Sequence, residues 1–244
     1  MEFAYVVNAN ASGSISAYAI NSRTGALSQI AGSPFPAGPY CDGVAFDPLG
    51  NFAYVPIGNG NDVAVYSIDA SSGSLSQILG SPFGAGSSPT IGAVDPTGKF
   101  YYVPNPTSSN LSAYTIDPAS GALTQIAGSP YSQNTPLGEA IDPRGKYLYV
   151  GNASANNVSA YQINPDTGAL TPVAGSPFAS GTRPYLMAVD PLGKFLYVTN
   201  ASSNNVSAYK INAANGALTA VIGSPFAAGA NPIGVVIDPK AKHA

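Results

Sequence analysis

The sequence repeats itself along almost its whole length, with a period of about 48 residues that places it among repeat architectures. An Asp-Pro turn marks each repeat, and the spacing between successive turn aspartates is nearly constant. These aspartates are Asp47, Asp95, Asp142, Asp190 and Asp238. A fixed period of about 20–50 residues indicates a solenoid, a propeller or a related array, in which each unit packs on its neighbours.

The contents of one repeat predict four short strands. In the fourth repeat these are Phe195–Val198, Val206–Ile211, Leu218–Ile222 and Ile233–Ile237, with turn residues between them. The Asp-Pro-x-Gly sequence has the residue preferences of a type I turn. Both faces of Phe195–Val198 are apolar, so this strand is expected to lie between two other sheets. Four strands in a unit of this length are typical of a β-propeller blade.

The number of repeats predicts an all-β, five-bladed propeller that occupies residues 1–244 as a single domain. Phe3–Val6 matches Phe195–Val198, so the first strand corresponds to the second strand of a blade. We therefore expect ring closure in one blade, which takes three strands from the N-terminus and Ile233–Ile237 from the C-terminus. Such closure protects sheet edges. An alternative interpretation is that the five repeats are a fragment of a larger ring.

Composition argues against several classes of function. Only 9% of residues are charged, the net charge is −3 and the basic residues are scattered, so no nucleic-acid partner is predicted. No apolar run approaches the roughly 18 residues of a membrane span. Cys41 is the only cysteine, and no His/Cys cluster suggests a metal or other cofactor. The sequence predicts a monomer, and its Asn, Ser and Gly content favours a secreted or surface-displayed bacterial protein. No signal peptide precedes the first strand.

Three motifs carry a resemblance to a known family. They are Asp190–Val198 (Asp-Pro-Leu-Gly-Lys-Phe-Leu-Tyr-Val), Asn205–Asn212 (Asn-Val-Ser-Ala-Tyr-Lys-Ile-Asn) and Thr167–Thr171 (Thr-Gly-Ala-Leu-Thr). The chain resembles the lactonase-type β-propellers, which include 6-phosphogluconolactonase-like proteins, carboxymuconate-cyclising enzymes and surface proteins with Tyr-Val-Thr-Asn repeats. Tyr197–Asn200 spells that last motif. The resemblance extends over the whole chain.

The resemblance implies a ring of seven blades and a catalytic set of His, Glu and Arg side chains at a central channel. This chain has five repeats, its only histidine is His243, and its arginines are Arg23, Arg144 and Arg183. No complete catalytic set matches residue by residue.

Candidate site residues lie where the repeats differ. Counted back from each turn aspartate, Asp42, Glu139, Tyr185 and Arg183 share one parity, which predicts one face of the inner strands. With Tyr40 they are predicted to form a small polar binding site at the mouth of the channel. Glu139, Arg183 and Asp42 are the candidate catalytic residues, and a channel-lining role without catalysis is the alternative.

Three functions follow from these observations. The leading hypothesis is a non-catalytic propeller that serves as a scaffold or binding module, with a glycan or protein ligand on its polar loops. The second is a lactone hydrolase that uses Glu139, Arg183 and Asp42. The third is an engineered or recently amplified repeat array without a function of its own.

Overall fold

The computed structural model describes residues 2–238, in which there is no helix and the strands form five antiparallel sheets. The sheets follow the chain in order and are named A to E here. Sheet A contains four strands, and each of the others contains five. The all-β architecture is the one that the sequence predicts.

The strand bounds repeat closely from sheet to sheet. Sheet A contains β1 (Glu2–Asn8), β2 (Ser14–Ile20), β3 (Leu27–Gln29) and β4 (Phe35–Pro36). Sheet B contains β5 (Ala45–Phe46), β6 (Phe52–Ile57), β7 (Asp62–Ile68), β8 (Leu75–Gln77) and β9 (Phe83–Gly84). Sheet C contains β10 (Ala93–Val94), β11 (Phe100–Asn105), β12 (Asn110–Ile116), β13 (Leu123–Gln125) and β14 (Tyr131–Ser132).

The last two sheets have longer inner strands. Sheet D contains β15 (Pro136–Ile141), β16 (Tyr147–Asn152), β17 (Asn157–Ile163), β18 (Leu170–Pro172) and β19 (Phe178–Ala179). Sheet E contains β20 (Pro184–Val189), β21 (Phe195–Asn200), β22 (Asn205–Ile211), β23 (Leu218–Ala220) and β24 (Phe226–Ala227).

Sheets B to E each have the predicted order of inner, second, third and outer strand, as in β20-β21-β22-β23. The sequence did not predict the short fifth strand at the Ser-Pro-Phe marker. It pairs with the beginning of the third strand, as Phe178 does opposite Val158. The outer edge of each blade is therefore shared by two short strands, and each of them covers part of the longer third strand.

The Asp-Pro-x-Gly turn forms as predicted, and its aspartate does more than begin the turn. The Gly145 amide donates to the Asp142 carbonyl at 2.8 Å, which closes the turn. The Asp142 carboxylate, fully buried, accepts from the Lys146 and Tyr147 amides at 2.6 and 2.8 Å. The side chain thus satisfies main-chain donors where the second strand begins, so the turn aspartates have a structural role.

The chain divides into two compact units. Among the described residues, one holds those up to Ser108 together with Ser112–Gln125, and the other holds Ser109–Leu111 together with those from Ile126 onward. The first unit contains sheets A and B and most of sheet C, and the second contains sheets D and E with the last strand of sheet C.

Neighbouring sheets within each unit meet through an aromatic ring that lies against a glycine. In the first unit, a Cβ added at Gly73 of sheet B would lie 2.4 Å from the Phe3 ring of sheet A. In the second unit, a Cβ added at Gly216 of sheet E would lie 2.4 Å from the Tyr147 ring of sheet D. Both glycines have positive φ, so the hairpin turn and the close approach of the ring require the same residue.

Two tyrosine hydroxyls complete this interface between sheets. Tyr5 in sheet A donates to the Gly73 carbonyl at 2.8 Å, and Tyr149 in sheet D donates to the Gly216 carbonyl at 3.1 Å. In the opposite direction, Tyr66 in sheet B donates to the Pro36 carbonyl of sheet A at 2.8 Å. Tyr209 in sheet E donates to Ala179 in the same way. These bonds fix the sideways register of one sheet on the next.

The structure departs from the predicted ring closure. Ile233–Ile237 lies within residues 232–238, which form no strand, and among the described residues β1 pairs only with β2. The expected fourth strand of the closing blade is therefore wrong for this structure. His243 lies outside the described residues.

Candidate functional site

Glu139 is the ionisable side chain whose environment is most unusual. Its Oε2 atom is buried and has no hydrogen-bond partner among the described residues. Because burial disfavours the charged form, the pKa of the Glu139 carboxyl lies well above its ordinary value. Ionisable groups with strongly shifted pKa values are enriched at functional sites, so Glu139 keeps its place as a candidate.

The strand that carries Glu139 directs its side chain away from β20. In β15, Gly138 faces β20 so closely that an added Cβ would lie 2.6 Å from the Tyr185 carbonyl oxygen. Successive residues of a strand point to opposite faces. The Glu139 side chain is therefore on the face of sheet D opposite to the one that approaches Tyr185.

Arg183 and Tyr185 are brought together by the structure. The Arg183 guanidinium carbon lies 5.9 Å from the centre of the Tyr185 ring, within the range of a cation–π contact. Arg183 is exposed and Tyr185 is half-buried. A guanidinium held over an aromatic ring at the surface leaves its outer N–H groups available to an anionic ligand.

The predicted polar site is thus partly assembled in the second unit. The only ion pair among the described residues joins Arg144 to Asp142 at 2.9 Å, so Glu139 and Arg183 do not form one. The β-bulge between Pro184 and Met187 also interrupts the parity on which the shared face was predicted. The role of these residues as one site stays a prediction.

Tyr40 and Asp42 lie in the first unit. Tyr40 is half-exposed, and Asp42 lines an open cleft of about 420 Å³ that Tyr5 and Cys41 also line. Partial burial raises the pKa of the Asp42 carboxyl. Cys41 is fully buried, and burial raises the pKa of its thiol, which suits the packing role that its neighbourhood predicts.

A feature that the sequence did not reveal is a left-handed residue at the start of every inner strand. Five residues at equivalent positions, each seven before its turn aspartate, have φ between 52° and 58°. They are Tyr40, Ser88, Thr135, Arg183 and Asn231. Four of them precede proline, a position that disfavours helical backbone angles, and none is glycine. Sequence rules therefore gave no signal for this conformation.

Asparagines in the polar loops hold these left-handed residues. The Asn156 Oδ1 accepts from the Arg183 amide at 2.9 Å, and the Asn204 Oδ1 accepts from the Asn231 amide at 2.9 Å. In the first unit, the Asn61 Oδ1 accepts from the Ser88 amide at 3.0 Å. We call this contact the asparagine clamp. It gives three asparagines of the polar loops a structural role.

The Tyr-Val-Thr-Asn motif is likewise structural. Asn200 is fully buried, and its Nδ2 donates to the Asn205 Oδ1 and the Ser207 Oγ at 2.8 Å each. Asn152 makes the same two bonds in sheet D. The motif asparagine therefore ties the second strand to the third. Among residues 2–238, no group of three His, Cys, Asp or Glu side chains could hold a metal ion. That part of the chain also contains no helix with the length and apolarity needed to cross a membrane.

The repeated four-stranded unit with its aromatic contacts defines a β-propeller repeat protein. The family model described as "Lactonase, 7-bladed beta-propeller" matches residues 44–182 and 138–233. Together these matches span more than three quarters of the 244 residues. The chain belongs to this lactonase propeller family, as the resemblance implied.

Solved structures share the fold at low sequence identity. The periplasmic gluconolactonase of Pseudomonas aeruginosa superposes with a TM-score of 0.77 at 17% identity, over 95% of this chain and 69% of that one. A protein from Lactobacillus plantarum gives 0.77 at 21%, over 94% and 69%. A Bacteroides uniformis protein provisionally assigned as a 6-phosphogluconolactonase gives 0.72 at 20%, over 95% and 84%. No curated protein sequence matches the chain.

Proposed function

We propose that the five sheets are the blades of one propeller domain and that this domain is a non-catalytic binding module for a sugar acid or a related polyhydroxylated anion. The family match supports the single domain, because it runs across both compact units. The observation that carries the binding function is the exposed Arg183 guanidinium 5.9 Å from the Tyr185 ring.

The chemistry of this pair suits such a ligand. A guanidinium presents N–H groups in a planar fork that matches a carboxylate or a phosphate. An aromatic ring beside it offers an apolar face for the C–H surface of a sugar. Relatives of this fold are named for gluconolactone and 6-phosphogluconolactone, which are derived from sugar acids. Because Arg183 is fixed through its main chain by Asn156, its side chain is positioned at little further entropic cost.

Calorimetric titration with gluconate and 6-phosphogluconate tests this function, and glucose serves as a neutral comparison. We expect both anions to bind and glucose to bind weakly or not at all. Arg183→Met should abolish binding of the anions, whereas Arg23→Met, which removes an exposed arginine from a hairpin of sheet A, should leave it unchanged. Absence of binding by both anions, or equal loss in the two variants, would contradict the proposal.

Lactone hydrolysis is the second candidate, and the buried, unpartnered Oε2 of Glu139 favours it. A carboxyl whose pKa is raised toward neutrality can serve as a general acid or base. Acid release from gluconolactone and aromatic lactones, measured at constant pH, tests this role. Turnover that disappears in Glu139→Gln would establish catalysis and replace the non-catalytic proposal.

A further inference from the structure

Two faces of the molecule lack the cover that every equivalent face within a unit has. Leu27 of sheet A is 55% exposed, whereas the four leucines at the same position of the other sheets are 7% exposed. Those four are Leu75, Leu123, Leu170 and Leu218. Within the units, such a leucine packs in one cluster with the tyrosine from the second strand of the preceding sheet, as Leu218 does with Tyr149. Among the described residues, no sheet covers Leu27 in this way.

The glycine of sheet A is also open. Gly25 has φ +72° and occupies the position of Gly73 and Gly216 in its hairpin. An added Cβ would have no described atom within 4 Å, although an aromatic ring fills this space at both of the other glycines. The Tyr18 hydroxyl, which corresponds to those of Tyr66 and Tyr209, has no hydrogen bond to the described residues. Gly25, Leu27 and Tyr18 form what we call the socket face of sheet A.

Sheet E presents the complementary half. Phe195 and Tyr197 correspond to Tyr147 and Tyr149, which are 3% and 0% exposed, yet both are only half-buried. They line an open, largely apolar cleft of about 1150 Å³ together with Phe226, which is 46% exposed. Phe195, Tyr197 and Phe226 form the knob face of sheet E.

The main chain at the two ends is also complementary. Among residues 2–238, β1 has a partner on one side only. Val235–Asp238 lies beside Phe195 and Tyr197 along an apolar cleft of about 300 Å³ and forms no strand, and Val236 is 94% exposed. In sheet E the corresponding segment pairs with the second strand, as Ala188 does with Tyr197. An apolar segment without a strand partner and a free strand edge can join by strand addition.

We propose that a second copy of this chain occupies these surfaces, with the knob face of one molecule against the socket face of the next. The contacts are those already present between sheets: the Phe195 ring on Gly25, the Tyr197 hydroxyl to the Gly25 carbonyl, and the Tyr18 hydroxyl to the Ala227 carbonyl. Ile233–Ile237 of the first molecule adds as a strand to β1 of the second. The contact is head-to-tail, so it joins different surfaces of the two molecules. This arrangement departs from the monomer that the sequence predicts.

Light scattering over a wide range of protein concentrations tests the proposal. We expect the mass to rise from 24.6 kDa to multiples of it as the concentration increases. Leu27→Glu should weaken association by about tenfold or more, because it places a charge in the apolar contact. Leu79→Glu is the matched control, since Leu79 is 99% exposed and lies on neither face. It should associate as the unaltered chain does.

Hydrogen exchange at the amides of β1 provides a second readout. Protection that rises with concentration, and that is lost in Leu27→Glu, would support strand addition between molecules. A mass of 24.6 kDa at every concentration would overturn the proposal. In that case, protected β1 amides would indicate closure of the chain on itself, and unprotected amides would indicate open ends.

Discussion

Leu27 and Leu218 occupy the same position of the repeat and sit in similar local sequence, yet one is 55% and the other 7% exposed. The difference is that sheet D covers Leu218, whereas no described sheet covers Leu27 in the same way. Burial in a repeat protein is therefore a property of the neighbour, and a residue cannot be assigned to the core from its own repeat alone. The same holds for Gly216 and Gly25, and for Tyr5 and Tyr18. These pairs separate the contribution of the contact between sheets from that of the sheet itself.

The leucine pair gives the largest expected effect. Leu218→Ala should lower the free energy of unfolding by about 2–4 kcal/mol, because it removes buried methyl groups and leaves a cavity. Leu27→Ala should lower it by less than about 1 kcal/mol at concentrations where the chain is monomeric. Urea denaturation of both variants measures the difference. Equal losses would mean that Leu27 is covered in solution.

The glycine pair isolates the contact of the aromatic ring. Gly216 and Gly25 have φ of +75° and +72°, so alanine meets the same backbone strain at both positions. Only at Gly216 does the added Cβ collide with a ring, at 2.4 Å from Tyr147. We expect Gly216→Ala to cost about 1–3 kcal/mol more than Gly25→Ala in thermal or urea unfolding. A cost that does not differ between the two variants would contradict the assigned contact.

The third prediction compares Glu139 with Met187, which holds the same position in sheet E and is 7% exposed. Because the pKa of Glu139 is raised in the folded state, the folded protein binds more protons than the unfolded chain above the ordinary carboxyl pKa. This contribution to stability is complete at acidic pH and decreases as pH rises toward the folded pKa, by up to about 1.4 kcal/mol per pH unit. Urea titrations between pH 4 and 8 measure this slope.

Two variants make this prediction specific. Glu139→Gln keeps the shape of the side chain, and Glu139→Met copies the residue of sheet E. Both should remove the part of the slope that Glu139 contributes, and Glu139→Met should be the more stable of the two, since it leaves no buried polar atom without a partner. A slope that persists in both variants would assign the pH dependence to other carboxyls, such as Asp42.

The smallest effect concerns the hydroxyl bonds between sheets. Tyr5→Phe removes the bond of 2.8 Å to the Gly73 carbonyl and should cost about 0.5–1.5 kcal/mol. Tyr18→Phe removes a hydroxyl without a described partner and should be close to neutral at low concentration. Thermal unfolding of the two variants measures the difference. A measurable cost for Tyr18→Phe in the monomer would reveal a bond that the structure does not contain.

The sequence predicted the fold because its period, its turn chemistry and the two apolar faces of the second strand all indicate the same unit. The Asp142 turn and the strands around it formed as expected. The fifth short strand was missed because two residues carry no periodicity that sequence rules can detect. The strand Ile233–Ile237 was wrong because its pattern matches an inner strand, while strand formation also needs a partner edge.

The candidate site was harder to predict. Parity placed Glu139, Tyr185 and Arg183 on one face, but a β-bulge changes parity and leaves no mark in a single sequence. The contact of Arg183 with Tyr185 depends on a left-handed backbone that the following Pro184 gave no reason to expect. Side-chain type therefore indicated which residues are unusual, while their geometry came from the structure.

The asparagine clamp has a consequence for how this protein can change over evolutionary time. At each left-handed position where it forms, the clamp engages the main-chain amide, as Asn156 does for Arg183, and leaves the side chain uncommitted. Tyrosine, serine, threonine, arginine and asparagine already occupy the five equivalent positions on nearly the same backbone. Substitutions there can alter surface chemistry without refolding the loop, so these positions resemble the variable sites of a display library more than the constrained sites of a core.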